Sequence, residues 1–533
     1  MKTYRCLICG YIHIGDEPPE SCPICGAPPS EFDAYKIQQV DKKPETEQWK
    51  CGVCGYIHEG SEAPESCPVC GETPSEAETY QTQQAEVKLE IKQWQCLVCG
   101  YIHEGSEPPE SCPVCGVPSS EFEPLSQQIF SEAISMPQKY VIIGGGIAGV
   151  TCAEEIRKNS DNAVITLVSA ETMLPYYRLS LSRYLAREVD RASLFIHPQS
   201  FYEDKRIKVL LGMEVIDILK EERQVAFSDG SKIGYDKLII TSGAYPFVPP
   251  ITGKELANVI TVRNLEDADY ILQEIKSMES VICIGGGILG LEIAGAIAKS
   301  GVRVTLLEGM EWLMPRQLNR KGAEVLKKYL EKIGIEVREN VKIQEVTGEE
   351  ACTGVKLSTG EQLPAPMVII TAGIRPNIRL VQKAGLNVNL GLVVNSSMQT
   401  SEENIFAAGD ITEYNGMLYG LWNAAQIQGK IAAQNALGKN VQFEGIPRSA
   451  VLKVLGLDLF SIGEYMPKDE KCIQYEREAP GSYVLFAFRE GKMVGSIVIG
   501  DKVLAAKVKQ AVEKGFYYTE QNGDVEGIIR QLS

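Results

Sequence analysis

The 533-residue sequence has no excess of positive charge. It carries 53 Lys and Arg against 70 Asp and Glu, a net charge of −17. A chain this acidic does not bind nucleic acid or an anionic membrane through bulk electrostatics. It also lacks a long unbroken apolar run. The longest stretch, 281–298, contains Gly285, Gly286, Gly287, Gly290 and Glu292. That pattern suits a strand and helix around a nucleotide better than a membrane span. A secretory pattern is missing too, because Met1-Lys2-Thr3-Tyr4-Arg5-Cys6 runs straight into cysteine spacing. The expectation is a cytoplasmic protein with neither nucleic acid nor membrane as partner.

The length exceeds one compact core and predicts roughly three or more domains. Charge is unevenly spread. Residues 1–123 hold 21 acidic and 8 basic residues, so an acidic module precedes a nearly neutral remainder. Twelve of the 16 cysteines fall in Cys-x-x-Cys pairs; Cys152, Cys283, Cys352 and Cys472 are isolated. In a reducing cytosol such pairs indicate metal more often than disulfides.

The pairs belong to a threefold repeat. Cys6, Cys51 and Cys96 begin units that read Cys-x-x-Cys-Gly-Tyr-Ile-His and then Pro-Glu-Ser-Cys-Pro-x-Cys-Gly. The ligand sets are Cys6, Cys9, Cys22 and Cys25; Cys51, Cys54, Cys67 and Cys70; and Cys96, Cys99, Cys112 and Cys115. Two intervening residues let a tight turn aim both sulfurs at one ion. The glycine after each second cysteine accepts a positive φ without steric cost. Two such turns make a tetrahedral four-thiolate site, which suits iron or zinc. His13, His58 and His103 recur at one position, but four thiolates already complete each site, so they read as packing or surface residues.

The repeat resembles the short rubredoxin-type domain of rubrerythrins. Trp49 and Trp94, two residues before the first cysteine, fit that pattern, and Tyr4 takes the place in the first unit. The resemblance implies one redox-active iron per unit, three in all; a zinc ribbon is the alternative. Polar stretches at 38–48, 79–93 and 124–138 cannot bury enough apolar area to fold alone and read as tethers. A short tether gives an attached partner a roughly millimolar effective concentration.

From Lys139 a short apolar strand pattern enters Gly144-Gly-Gly146-Ile-Ala-Gly149 and then a helix. This is the dinucleotide fingerprint in its required context. The first glycine turns the chain, the second admits a pyrophosphate, and the third lets helix and strand pack. A second strand, 163–168, ends near Glu171, a candidate for a ribose hydroxyl. The pattern recurs at Gly285-Gly-Gly287-Ile-Leu-Gly290, with Glu308 after the strand 303–307. A carboxylate there favours the free 2′-hydroxyl of NADH and repels the phosphate of NADPH.

Ile405-Phe-Ala-Ala-Gly409-Asp410 resembles the late flavin motif of the pyridine-nucleotide-dependent flavoprotein reductases. Thr241-Ser-Gly243 and Thr371-Ala-Gly373-Ile-Arg-Pro-Asn377 match that family's connecting motifs. The resemblance covers about 140–445 and implies FAD on the first fold, NADH on the second, and Asp410 on the ribityl chain. Leu174-Pro-Tyr-Tyr-Arg178 and the tail from 446 look most like NADH:rubredoxin oxidoreductases, with Arg178 near the FAD phosphates or ring. Some ferredoxin reductases place a lysine beside the flavin, paired with a glutamate of the NADH helix. Arg183 and Glu292 occupy those two places as candidate catalytic residues; a solvated helix charge is the other reading of Arg183. No Cys-x₄-Cys pair follows the first fold, and 174–185 holds no cysteine. Electrons are therefore expected to leave the flavin without a protein thiol.

The expected fold is multidomain. Three small metal-bound rubredoxin-like modules (1–37, 47–82, 92–127) precede an α/β flavoprotein with two dinucleotide-binding folds. In the latter, FAD-binding parts at 138–253 and 371–445 flank an NADH-binding domain at 254–370, and a small α/β domain follows at 446–533. The expected function is an NADH:rubredoxin oxidoreductase with tethered rubredoxins. It would pass single electrons to Fe(Cys)₄ sites and on to a rubrerythrin, a diiron flavoprotein or free rubredoxin, in defence against oxygen. Two alternatives stand beside it: an NADH oxidase or peroxide-type flavoenzyme with accessory metal sites, and a flavin reductase with zinc docking modules. Oligomerisation is left open.

Overall fold

In the computed structural model the described residues are 137–454, 456–466, 471–518 and 524–532. Shorter pieces before them are 2–6, 12–15, 29, 32–35, 48–50, 57–59, 78–79, 93–96, 102–104, 107–111 and 118–124. The chain divides into two compact units, Met1–Gln128 and Ile129–Ser533.

In the first unit each repeat forms the same three-stranded antiparallel sheet. The strands are Lys2–Cys6, Ile12–Gly15 and Phe32–Tyr35; then Gln48–Lys50, Ile57–Glu59 and Glu78–Thr79; then Gln93–Cys96, Ile102–Glu104 and Phe122–Pro124. The first strand of each is central. The register is identical too: Tyr4 lies opposite His13, Trp49 opposite His58, and Trp94 opposite His103. The recurring histidine is thus the cross-strand register partner of the recurring aromatic residue.

Two five-stranded parallel sheets organise the second unit. The order in one is Ile207–Leu210, Val164–Val168, Lys139–Ile143, Lys237–Ile240, Ile405–Ala407. The other runs Val259–Thr261, Val368–Ile370, Ser280–Ile284, Arg303–Leu307, Ile335–Arg338. Their central strands are buried on both faces, from Tyr140 to Ile143 and from Val281 to Ile284. This is why they read as continuous apolar runs and not as alternating ones. A three-stranded antiparallel sheet accompanies each, at 215–234 and 343–364. The chain crosses between the two halves through paired strands, Ala244–Pro246 against Ile374–Pro376.

The helix Ile147–Asn159 follows the first glycine turn and packs on the helix Trp422–Ala436. Small residues permit the approach: a Cβ on Gly429 would lie 2.6 Å from the Ala148 carbonyl oxygen. The C-terminal sheet is antiparallel, in the order Ser449–Val454, Leu457–Gly463, Lys492–Ile499, Ser482–Arg489, Cys472–Ala479. One face contributes Leu459, Leu485, Ile497 and Ile499 to the core that holds Ile297, Leu326 and Leu330 of the second parallel-sheet half. The opposite face, with Phe460, Phe486 and Val498, is covered by the helices Lys502–Lys514 and Val525–Gln531. The tail is therefore fixed to the second dinucleotide fold by shared apolar burial. Among the described residues no helix is long and apolar enough to cross a membrane.

Candidate functional site

The two glycine turns are built alike. Gly144 turns the chain at φ +120°, and a Cβ there would lie 2.2 Å from the Thr241 carbonyl oxygen. A Cβ on Gly149 would lie 2.0 Å from the Gly144 oxygen. Gly285 repeats the first feature, with φ +110° and the Thr371 oxygen at 2.6 Å, and Gly290 the second, 1.9 Å from the Gly285 oxygen. Thr241 and Thr371 brace the turns identically, donating to Ile143 and Gly144 and to Ile284 and Gly285. The middle glycines differ from these. Among the described residues, a Cβ on Gly146 or Gly287 would meet nothing within 4 Å. Each is the N-cap of its helix, and neither cap supplies a side-chain hydrogen bond. Open space beside uncapped N–H groups is an anion cradle.

Glu308 ends the strand Arg303–Leu307 and is buried. Its carboxylate accepts from the N–H of Gly286 at 2.7 Å and of Met310 at 2.7 Å. It therefore fixes the glycine turn. Glu171 is tied differently. It accepts from Arg178 Nη2 at 2.5 Å and from the Tyr176 hydroxyl at 2.6 Å. Arg178 also donates to the Arg263 carbonyl, and Arg263 Nη2 lies 3.4 Å from Asp410 Oδ2.

Gly243, Gly373 and Gly409 all adopt positive φ, at +67°, +104° and +85°. A Cβ on Gly243 would lie 3.4 Å from Arg263 Nη2, and one on Gly409 3.1 Å from the Ala148 Cβ. The Gly409–Asp410 turn is held by Gln428, 1% exposed, whose Oε1 accepts from Gly409 N–H at 2.9 Å and is 3.1 Å from Thr412 Oγ1. Arg263 and Gln428 are the two site residues that sequence reasoning missed. Arg263 follows a strand end without any motif. Gln428 left a faint signal, a glutamine on the buried face of an Ala-rich helix.

Arg183 and Glu292 come from elements that pack together, the helices Leu181–Leu185 and Ile288–Lys299. Ser182 Oγ donates to Glu292 at 2.7 Å, while Arg183 Nε pairs with Glu188 at 3.3 Å. Glu188 is also bound by Lys299; burial pushes its pKa up, but Lys299 and Arg183 hold it below the usual range. The isolated cysteines Cys152 and Cys283 are fully buried, and burial pushes both thiols up, Cys283 to about 12. Buried neutral thiols of this kind make poor redox relays. Of the proposed metal ligands, Cys6 and Cys96 end central strands of the first and third repeats. Cys9, Cys22, Cys25, Cys51, Cys54, Cys67, Cys70, Cys99, Cys112 and Cys115 lie outside the described residues.

The first cradle fits FAD on three observations. Gly146 leaves room for a pyrophosphate. Two buried polar atoms beside the connecting turns, Ser242 Oγ and Gln428 Nε2, have no hydrogen-bond partner among the described residues, and a bound polar ligand would satisfy such groups. Burial and the like charge of Arg178 hold the Arg263 guanidinium below its ordinary pKa, a penalty that a nearby phosphate would relieve. Gly287 and Glu308 give the second fold the matching elements for a nicotinamide dinucleotide.

A pyridine nucleotide-disulphide oxidoreductase family model matches residues 138–429. A rubrerythrin, rubredoxin-like domain model matches 4–33, 49–76 and 94–123, and a rubredoxin NAD⁺ reductase C-terminal domain model matches 449–516. The chain is 32% identical over 381 residues to a nitrite reductase [NAD(P)H] of Bacillus subtilis, covering 71% of this chain and 47% of that protein. It is 31% identical over 376 residues to the NADH-rubredoxin oxidoreductase of Clostridium acetobutylicum, covering 70% of this chain and 94% of that one. The first three curated relatives are matched over only 44–48% of their length, so the chain spans about half of each. The crystal structure of the Clostridium acetobutylicum NADH:rubredoxin oxidoreductase superimposes with a TM-score of 0.63 at 29% identity, covering 74% of this chain and all of that one.

Proposed function

The chain belongs to the pyridine nucleotide-disulphide oxidoreductase family, and on that premise we propose that it is an NADH:rubredoxin oxidoreductase carrying its own rubredoxin-like acceptors. The observation that carries the reading is the duplicated glycine cradle, twice braced by threonine and twice open at its middle glycine. Residues 138–253 and 371–445 would form the FAD-binding half, 254–370 the NADH-binding half, and 446–533 the C-terminal domain. When bound, FAD supplies the exchange between two-electron hydride chemistry and one-electron transfer, and an iron on four thiolates supplies the one-electron acceptor.

The protein's own part is positional. Gly144, Gly146 and Gly149 admit the FAD pyrophosphate to a helix N-terminus, with Arg178 and Arg263 as its cations. Asp410, held by Arg263 and the Gln428-braced turn, would receive the ribityl hydroxyls. Gly285, Gly287 and Gly290 do the same for NADH, and Glu308 rejects a 2′-phosphate by charge. Arg183 and Glu292, on adjoining helices, would border the nicotinamide. The twelve paired cysteines would hold three irons. The polar stretches read from the sequence as tethers lie almost entirely outside the described residues; as tethers they would hold each acceptor at high local concentration, and electrons would pass on to a rubrerythrin, a diiron flavoprotein or free rubredoxin.

An anaerobic NADH titration of the purified chain tests this directly, with metal content measured alongside. Both flavin and iron absorbance are expected to bleach. Flavin bleaching with unchanged iron bands would overturn the tethered-acceptor reading. Zinc as the only metal, in protein expressed with ample iron, would do the same.

A further inference from the structure

Tyr176 joins the two dinucleotide folds. It is 5% exposed. Its hydroxyl donates to Glu171 Oε2 at 2.6 Å and accepts from the Leu265 N–H at 3.1 Å. Leu265 is the first residue of the helix Leu265–Glu274, so this N–H is one that the helix itself leaves without an acceptor. Arg178 closes the ring of contacts. It binds the other oxygen of Glu171, donates to the Arg263 carbonyl, and lies 5.1 Å from the centre of the Tyr176 ring.

The two ends of this ring belong to different sheets. Glu171, Tyr176 and Arg178 follow the strand Val164–Val168 of the first. Arg263 and Leu265 follow the strand Val259–Thr261, at the edge of the second. Apolar burial alone would be served as well by phenylalanine. The hydroxyl adds a link between a carboxylate of one fold and the opening turn of the other. Without it the Leu265 N–H would lose its acceptor, while Glu171 would keep its bond to Arg178 but lose its tie to the second fold's helix.

We propose that Tyr176 is a positioning residue that couples occupancy of the flavin site to the seating of the NADH-binding half. The proposal rests on the reading that FAD occupies the first fold. A ribose hydroxyl arriving at Glu171 donates to the same carboxylate as Tyr176 and Arg178. It therefore redistributes bonds whose other ends grip residues 263–265. Hydride transfer needs donor and acceptor atoms roughly 3–3.5 Å apart, so a small tilt of one fold against the other matters. Tyr176 acts on that tilt and touches neither reacting atom.

Hydrogen–deuterium exchange on the full chain, with and without saturating FAD, tests the coupling. In the wild type FAD is expected to slow exchange at the glycine turn 144–150 and also in 259–271, by on the order of tenfold at Leu265. In Tyr176→Phe the protection at 144–150 remains and that in 259–271 is lost, while KM for NADH rises. Unchanged protection of 259–271 in Tyr176→Phe would overturn the proposal. Should that variant fail to fold, Glu171→Gln serves. It weakens the same link, and full FAD-dependent protection of 259–271 in that variant also counts against coupling. If FAD does not bind the wild-type chain, the reading of the first fold fails, and this inference fails with it.

Discussion

Gln428 Oε1 accepts the backbone N–H of Gly409 at 2.9 Å, across 19 residues of sequence. The bond fixes the turn from which Asp410 projects, and Thr412 Oγ1 shares the same acceptor. Gln428→Leu keeps the volume but leaves a half-buried N–H without its acceptor, at a cost of about 1 kcal/mol. The expected result is a folded chain with severalfold weaker FAD binding, on the assumption that most of that cost falls on the turn. Flavin fluorescence titration of the apoprotein, with far-ultraviolet circular dichroism beside it, measures both. Wild-type FAD affinity in the variant would show that the turn does not depend on this side chain.

The glycines of each trio separate by what a methyl group would strike. Gly146→Ala meets open space in the protein, so its stability should stay within about 1 kcal/mol of wild type. Its FAD affinity should fall, because the methyl would occupy the space proposed for a pyrophosphate. Gly149→Ala drives a Cβ to 2.0 Å from the Gly144 oxygen. It should lose at least about 2 kcal/mol of stability, with or without ligand. The pair Gly287→Ala and Gly290→Ala should repeat the contrast, with NADH affinity as the readout. Thermal denaturation and ligand titration of the four variants decide it. Equal destabilisation of Gly146→Ala and Gly149→Ala would show that the middle glycine is structural.

The glycine trios were legible in the sequence because strand, tight turn and helix impose their spacing locally, within six residues. The cysteine repeat was legible for the same reason. Arg263 was not, because its meaning depends on Asp410, 147 residues away, and on a carbonyl bond from Arg178. The cross-strand match of Trp49 with His58 and of Trp94 with His103 was also hidden. It depends on register, which the repeat alone does not reveal. The brace that Glu308 gives to Gly286 likewise appears only when the turn is folded.

Glu413 gives a prediction about pH. It is buried and accepts from Asn389 Nδ2 at 2.8 Å, Leu390 N–H at 2.6 Å and Gly391 N–H at 3.0 Å. Burial pushes its pKa up, but these three donors outweigh it and hold the carboxyl below its ordinary 4.5. A depressed pKa means the ionised form is favoured in the fold. The stability it contributes is therefore complete above pH 4.5 and is lost as pH falls through the folded value. Glu413→Gln should cost about 1–3 kcal/mol at neutral pH. The gap between variant and wild type should narrow below pH 4.5. Denaturant melts at a series of pH values measure the gap, and a gap independent of pH would mean that ionisation is not the source.

The third repeat offers a test of both metal identity and stoichiometry. On the proposed ligation, Cys99→Ser would remove one of four thiolates from one of three sites and leave two sets of four cysteines intact. A hydroxyl is a far harder and less acidic ligand than a thiol, so that site should lose most of its affinity for iron. Metal content and the NADH-bleachable iron absorbance should each fall by about a third, because ligand set and fold are coupled within one module. The same change in repeat one or two, Cys9→Ser or Cys54→Ser, should give the same fraction if the sites are independent acceptors. A complete loss of iron bleaching from Cys99→Ser alone would indicate a serial relay in which the third module, nearest the flavoprotein in sequence, feeds the others. Metal analysis together with anaerobic NADH titration of the three variants distinguishes the parallel arrangement from the serial one. An undiminished iron signal in all three would remove these cysteines from the ligand sets.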